Sequence, residues 1–186
     1  MLLPAIGASG QERLAAAHVL VVGCGALGTV IVETLARAGV GRLTVVDRDV
    51  VEPTNLQRQI LFTERDVEEH VPKAEAARRA IAEINRQVDL RAVVADFNHR
   101  NAEPLVEGVD AILDGLDNFE TRYLLNDLAV KHGVAYFYGG AVGTTGVALS
   151  VLPHPEHRLP TARAAAWSAA QSTPCLRLSL IHISEP

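Results

Sequence analysis

Asp114 and Asp117 stand in the stretch Asp114-Gly115-Leu116-Asp117-Asn118-Phe119-Glu120-Thr121-Arg122. It follows the apolar run Ala111-Ile112-Leu113, which reads as a buried strand, and precedes a helical pattern with Leu124, Leu125, Leu128 and Ala129 on one face. Both carboxylates therefore fall at the carboxyl end of a strand, the edge where ligands bind in open α/β sheets. A carboxylate there suits a metal–phosphate ligand better than it suits a neutral nicotinamide.

A second group of residues points to the same edge. Gly23, Gly25 and Gly28 form G-x-G-x-x-G between the apolar run His18-Val19-Leu20-Val21-Val22 and a helical pattern. The first glycine permits a tight turn, the second lets a phosphate approach the backbone, and the third lets helix and strand pack closely. The helix that follows offers unpaired N–H groups and a partial positive charge to an anion. Asp47 ends the next strand about 20 residues on, where a carboxylate meets ribose hydroxyls. Asn55-Leu56-Gln57-Arg58-Gln59 lies in the connection after it, and Lys73 follows Pro72 at the head of another helix. Arg58 supplies a bidentate fork and Lys73 a compact charge, and both are expected to reach a triphosphate lying over the glycine turn. The glycine motif does not separate NAD or FAD from ATP. The cations together with Asp117 favour Mg-ATP chemistry over hydride transfer.

These residues need a scaffold of alternating strands and helices. A capping-box pattern, Ser9-Gly10-Gln11-Glu12, predicts the start of a short helix with Leu14 and Ala17 facing inward. The apolar run from His18 to Val22 has the composition of a strand buried on both faces. The next helix carries Val30, Ile31, Leu35 and Ala38 and stops at Gly39 and Gly41. Strands are predicted at 43–46, 90–95, 111–113, 135–138 and 146–152, and helices at 73–85, 103–107 and 119–131. Residues 50–72 make a long polar connection, a length that is usually functional. Pro153, Pro155 and Pro160 mark a loop region, and Thr161 to Ala170 has the composition of a weak helix. The pattern gives an α/β fold: a Rossmann-like, doubly wound, mainly parallel sheet with helices on both faces.

Composition bounds the function. The 186 residues are one domain's worth, with 48% hydrophobic residues but only 4% aromatic, so the core is aliphatic. The net charge of −5 and the lack of a long basic run argue against nucleic acid as the main partner. Two cysteines, Cys24 and Cys175, are too few for a disulfide framework. No signal-peptide pattern and no long apolar stretch appear, so a cytoplasmic location away from the membrane is expected. Cys24, within the glycine turn, is either a thiol activated by the helix terminus or a small buried filler; the filler role is the expectation. The histidines show no metal-ligand spacing.

The segments LLPAIGASGQERL, VLVVGCGALG, LTVVDRDVVEPTNLQRQ, VPKAEAA and DGLDNFETRYLLND, in that order within residues 2–149, resemble the ubiquitin-activating-enzyme-like adenylyltransferases. This is the ThiF/MoeB/HesA group, which includes the molybdopterin-synthase and thiazole-biosynthesis adenylyltransferases. The resemblance implies ribose binding by Asp47, phosphate contacts from Gly25, Asn55, Arg58 and Lys73, and Mg²⁺ coordination by Asp117 with Asn118 beside it. It implies ATP-dependent adenylation of the C-terminal glycine of a ubiquitin-like sulfur-carrier protein, in molybdopterin- or thiamine-type sulfur transfer, by a homodimer. Two other readings stay open: an NAD(P)-binding oxidoreductase domain and an inactive module that docks a ubiquitin-fold protein.

The chain also departs from that family. The Arg-containing RYxRQ segment that usually precedes LLPxIG is absent, Met1 standing at its end. Members with a structural zinc use two C-x-x-C pairs, the first within PCxRC. Pro174-Cys175-Leu176-Arg177 fits its beginning, but Leu178 stands where the second cysteine belongs, and one thiol cannot build a four-ligand site. Cys175 is read as a lone remnant of such a site, with Zn²⁺ expected only in the full-length protein. Residues 178–186 (LSLIHISEP) resemble a translated sequencing adapter, so the natural chain is expected to continue beyond Arg177. The expected organisation is an adenylyltransferase core at 1–152, a partial zinc-region segment at 153–177, poorly packed without its metal, and the adapter at 178–186.

Overall fold

The computed structural model describes residues 6–153 and Leu176. Its elements in chain order are α1 (Gly7–Ala16), β1 (His18–Val22), α2 (Ala26–Ala38), β2 (Arg42–Val46), α3 (Glu64–Glu68), α4 (Lys73–Ile84), β3 (Asp89–Val93), α5 (Ala102–Val106), β4 (Ala111–Asp114), α6 (Phe119–His132), β5 (Ala135–Val142) and β6 (Thr145–Val151). The strands form one sheet in the order β3-β2-β1-β4-β5-β6. All neighbours pair parallel except β6, which returns antiparallel along β5. The chain winds outward from β1 to β3, then crosses back to the other side of β1, so the winding reverses between β1 and β4. That reversal opens a crevice at the strands' carboxyl ends.

Alternation along the strands supplies both cores. Val19, Val21, Leu43 and Val45 join Val32 and Ala36 of α2 and Ala74, Ala77 and Ile81 of α4 on one face. Leu20, Val22, Val46 and Ile112 join Leu105 and Val106 of α5 and Leu125, Leu128 and Ala129 of α6 on the other. Helices thus cover both faces, as the near-continuous apolar strands require.

Four expectations need correction. The helix α1 begins at Gly7 with Ile6 at its cap and no side-chain cap bond, so Ser9 lies inside the first turn and forms no capping box. The capping box that does form is Thr63 with Asp66, at the head of α3 inside the connection read as a loop. That connection also holds a 3-10 turn at Pro53–Asn55 and a bridge between Val50 and Pro72. Strand β5 runs on through Gly139 and Gly140 to Val142, because β6 pairs with it from Tyr136 to Val142. Finally, Leu176 is 1% exposed in the second core and donates its N–H to Asn126 Oδ1 at 2.7 Å, so this one residue of the segment expected to be poorly packed is well packed. Cys175, the Thr161–Ala170 segment and residues 178–186 lie outside the described residues.

Candidate nucleotide site

Three glycines interlock at the crevice. Gly23 turns the chain out of β1 at a φ of +89°, and a methyl group there would sit 2.8 Å from the Gly115 carbonyl carbon. On Gly28 a methyl would lie 2.0 Å from the Gly23 carbonyl oxygen, and on Gly115 it would lie 2.8 Å from Gly28 Cα. The turn after β1 is therefore seated directly against the turn after β4. Gly25 differs: a methyl there would meet nothing nearer than Gln59 Nε2, at 4.0 Å. Its bareness leaves room over the amino terminus of α2, where an anion can approach the backbone. The protein's own packing explains Gly23 and Gly28. No such close packing constrains Gly25.

Asp47 leaves the end of β2 and binds this turn. Its Oδ2 accepts from the Cys24 N–H at 2.7 Å and its Oδ1 from the Asp49 N–H at 2.8 Å. Burial pushes the carboxyl above its usual range, while those two N–H groups and the Lys73 ammonium pull it back. Each oxygen accepts one of these bonds and keeps further accepting capacity. Cys24 is fully buried, and its thiol is pushed far up, by burial first and by Asp47 second. It fills space, and the helix terminus does not activate it.

Lys73 is held where a solvated surface cation would not be. It is only 7% exposed, and its Nζ donates to Asp49 Oδ2 at 2.9 Å. Its charge acts on both Asp47 and Cys24, which puts it in the same electrostatic neighbourhood as the glycine turn. Asp49 was not singled out in the sequence, and only this ion pair reveals it. Asn55 is buried, with its Oδ1 accepting from the Glu52 N–H at 3.0 Å. Arg58 is exposed and lies along its own turn, Nη1 donating to the Thr54 carbonyl at 2.7 Å.

On the β4 side the two aspartates divide. Asp117 is exposed. Asp114 is fully buried, so the expectation of two carboxylates at the ligand edge is corrected to one. Asp114 Oδ1 accepts from the Leu116 N–H at 2.8 Å, and Oδ2 accepts from the Tyr136 hydroxyl at 2.6 Å. Arg122 Nε lies 3.3 Å from Oδ2, a charge pairing without a hydrogen bond. Burial pushes the Asp114 carboxyl up, and Tyr136, Leu116 and Arg122 hold it back. Arg122 Nη2 donates to the Leu116 carbonyl and, at 3.1 Å, to that of Gly139. Its guanidinium also lies over the rings of Tyr138 (4.7 Å) and Phe119 (5.3 Å). The N–H and the carbonyl of Leu116 are thus both held, in the two peptide groups that lead to Asp117. Asn118 caps α6, its Oδ1 accepting from the Thr121 N–H at 3.0 Å.

The residues present fit a nucleoside triphosphate: an open Gly25, a helix terminus, a ribose-type carboxylate and a buried cation share one edge. A divalent cation fits less completely. Among the described residues no cluster of three or more His, Cys, Asp or Glu could enclose it. Mg²⁺ does not need such a cage, being held by one or two carboxylates with substrate phosphates and water.

The chain matches the ThiF family over residues 1–176 and belongs to that family. It is 47% identical over 148 residues to the sulfur carrier protein ThiS adenylyltransferase of Bacillus subtilis (strain 168), covering 80% of this chain and 44% of that protein. It is also similar to the structure of E. coli tRNA N6-threonylcarbamoyladenosine dehydratase, TcdA, in complex with ATP. The TM-score there is 0.57 at 33% identity, covering 60% of this chain and 46% of that one. E. coli MccB with succinimide shares the fold, with a TM-score of 0.74 at 24% identity over 95% of this chain and 50% of that one. The chain spans about half the length of the relatives it matches.

Proposed function

We propose that this chain is the nucleotide-binding core of an ATP-dependent adenylyltransferase that activates the C-terminal glycine of a ubiquitin-like sulfur-carrier protein. The observation that carries the reading is Lys73, a nearly buried cation paired with Asp49 beside the glycine turn. Hydride transfer to a nicotinamide has no use for a desolvated positive charge there, whereas phosphoryl chemistry does. The similarity to the B. subtilis ThiS adenylyltransferase supports the carrier substrate, and the ATP bound to TcdA supports the nucleotide.

In this reading Asp47 accepts from the ribose hydroxyls, and the α2 terminus at Gly25 receives the phosphates. Asn55, Arg58 and Lys73 bind the triphosphate, and Asp117 holds Mg²⁺ with Asn118 beside it. A carrier carboxylate oxygen forms a bond to the α-phosphorus while the bond to the pyrophosphate oxygen breaks, giving acyl-adenylate and pyrophosphate. The nucleophile is already ionised, so no general base is needed. The protein's part is to position the reactants and neutralise the leaving group. Bound Mg²⁺ supplies charge neutralisation on the phosphate oxygens. We further propose that the intact protein is a homodimer, paired through the exposed strand β6, where Phe137 and Val147 are exposed on opposite faces of the β5–β6 pair.

ATP–pyrophosphate exchange with a carrier ending in Gly-Gly tests the reading. Carrier-dependent exchange is expected. Carrier binding without exchange would leave a docking module, and tight NADH binding without ATP binding would restore the oxidoreductase.

A further inference from the structure

Gln59 is 3% exposed, yet its side-chain Oε1 has no hydrogen-bond partner. Its backbone is fully employed: the N–H donates to the Asn55 carbonyl at 3.0 Å, and its carbonyl accepts from Phe62 at 3.2 Å. The turn thus needs nothing from the side chain. A buried primary amide with an unmet acceptor costs free energy that a methionine of similar shape would not. The other end of the same amide, Nε2, is the nearest group to the bare side of Gly25, 4.0 Å from where a methyl would sit. The fold therefore carries a buried amide with an unmet acceptor at one end and, at the other, the group nearest to the bare side of Gly25.

We propose that Gln59 is a phosphate-binding residue of this site, donating from Nε2 to a phosphate oxygen of the nucleotide seated over Gly25. The inference rests on reading the glycine turn as the nucleotide phosphate site. An amide's two ends exchange by a half-turn, so an anion at Gly25 also selects the donor-inward rotamer. The group adds a neutral donor between the helix terminus and Lys73. It contributes without the like-charge cost that a further cation beside Lys73 would carry.

The test uses the full chain, with ATP and adenosine titrated separately by calorimetry and thermal unfolding recorded without ligand. Gln59→Met should unfold at the same temperature or higher, because the unmet acceptor is gone. Its ATP affinity should fall about 10-fold or more, the scale of one hydrogen bond to a charged group, while adenosine affinity stays unchanged. Gln59→Glu keeps the shape and puts a carboxylate toward the phosphate. It should lose at least as much ATP affinity, and it reads the same contrast should the methionine variant not fold. A lower unfolding temperature with ATP and adenosine weakened alike would make Gln59 structural and overturn the inference. So would unchanged ATP affinity in both variants. A parent chain that binds neither ligand removes the phosphate-site reading itself, which is a distinct failure.

Discussion

Asp47 and Asp114 stand at the carboxyl ends of β2 and β4, the two strands that flank β1, and burial pushes both carboxyls up. They do opposite work. Asp47 bonds only to two backbone N–H groups and is partly open, so its remaining lone pairs face the crevice. Asp114 is sealed, with both oxygens spent on Leu116, Tyr136 and Arg122. A carboxylate at the carboxyl end of a parallel strand is therefore a ligand candidate only if it keeps accepting capacity toward solvent. Without that capacity it becomes a fastener, here for the turn that presents Asp117.

The comparison breaks most visibly at Arg122. Arg122→Ala leaves Asp114 buried without its cation and should cost about 3–5 kcal/mol in urea unfolding. A loss under about 1 kcal/mol would mean that the network is ornamental and Asp114 no fastener. Asp117→Ala should do the reverse. Its urea midpoint should match the parent's, while carrier-dependent exchange falls about 10²–10³-fold. Near-normal exchange would remove the metal role proposed for it. Asp47→Asn keeps one acceptor and should change stability by about 1 kcal/mol, yet weaken ATP roughly 10-fold; equal ATP affinity would detach Asp47 from the ribose. The smallest effect concerns Cys24, whose thiolate is suppressed by burial. Iodoacetamide at mildly alkaline pH should leave its peptide unlabelled until the chain is denatured, as read by mass spectrometry. Prompt native labelling would show the turn to be open.

Short-range patterns made much of this legible. Glycine spacing between an apolar run and an amphipathic helix located β1, its turn and α2, and the strand ending at Asp47 was visible for the same reason. Pairings distant in sequence were not visible. Nothing local marks Arg122 as the cation paired with Asp114 beside Tyr136, or Gly115 as the glycine on which Gly23 and Gly28 press. Asp49 was not marked either, since its partner Lys73 stands 24 residues on, at the head of α4. Glycines misled the reading of β5, because the strand that supports them comes later in the chain. At Ser9 the local cap signal lost to a helix already begun at Gly7.

The most direct test of the proposed chemistry follows the label of ATP. The full chain is incubated with Mg²⁺, a Gly-Gly-ending carrier and ATP labelled at either the α- or the γ-phosphorus. The account predicts α-label on the carrier, released by hydroxylamine as expected of an acyl-adenylate, with γ-label appearing only in pyrophosphate. Transfer of γ-label to the carrier, or no transfer by a chain that binds both ATP and carrier, would contradict it.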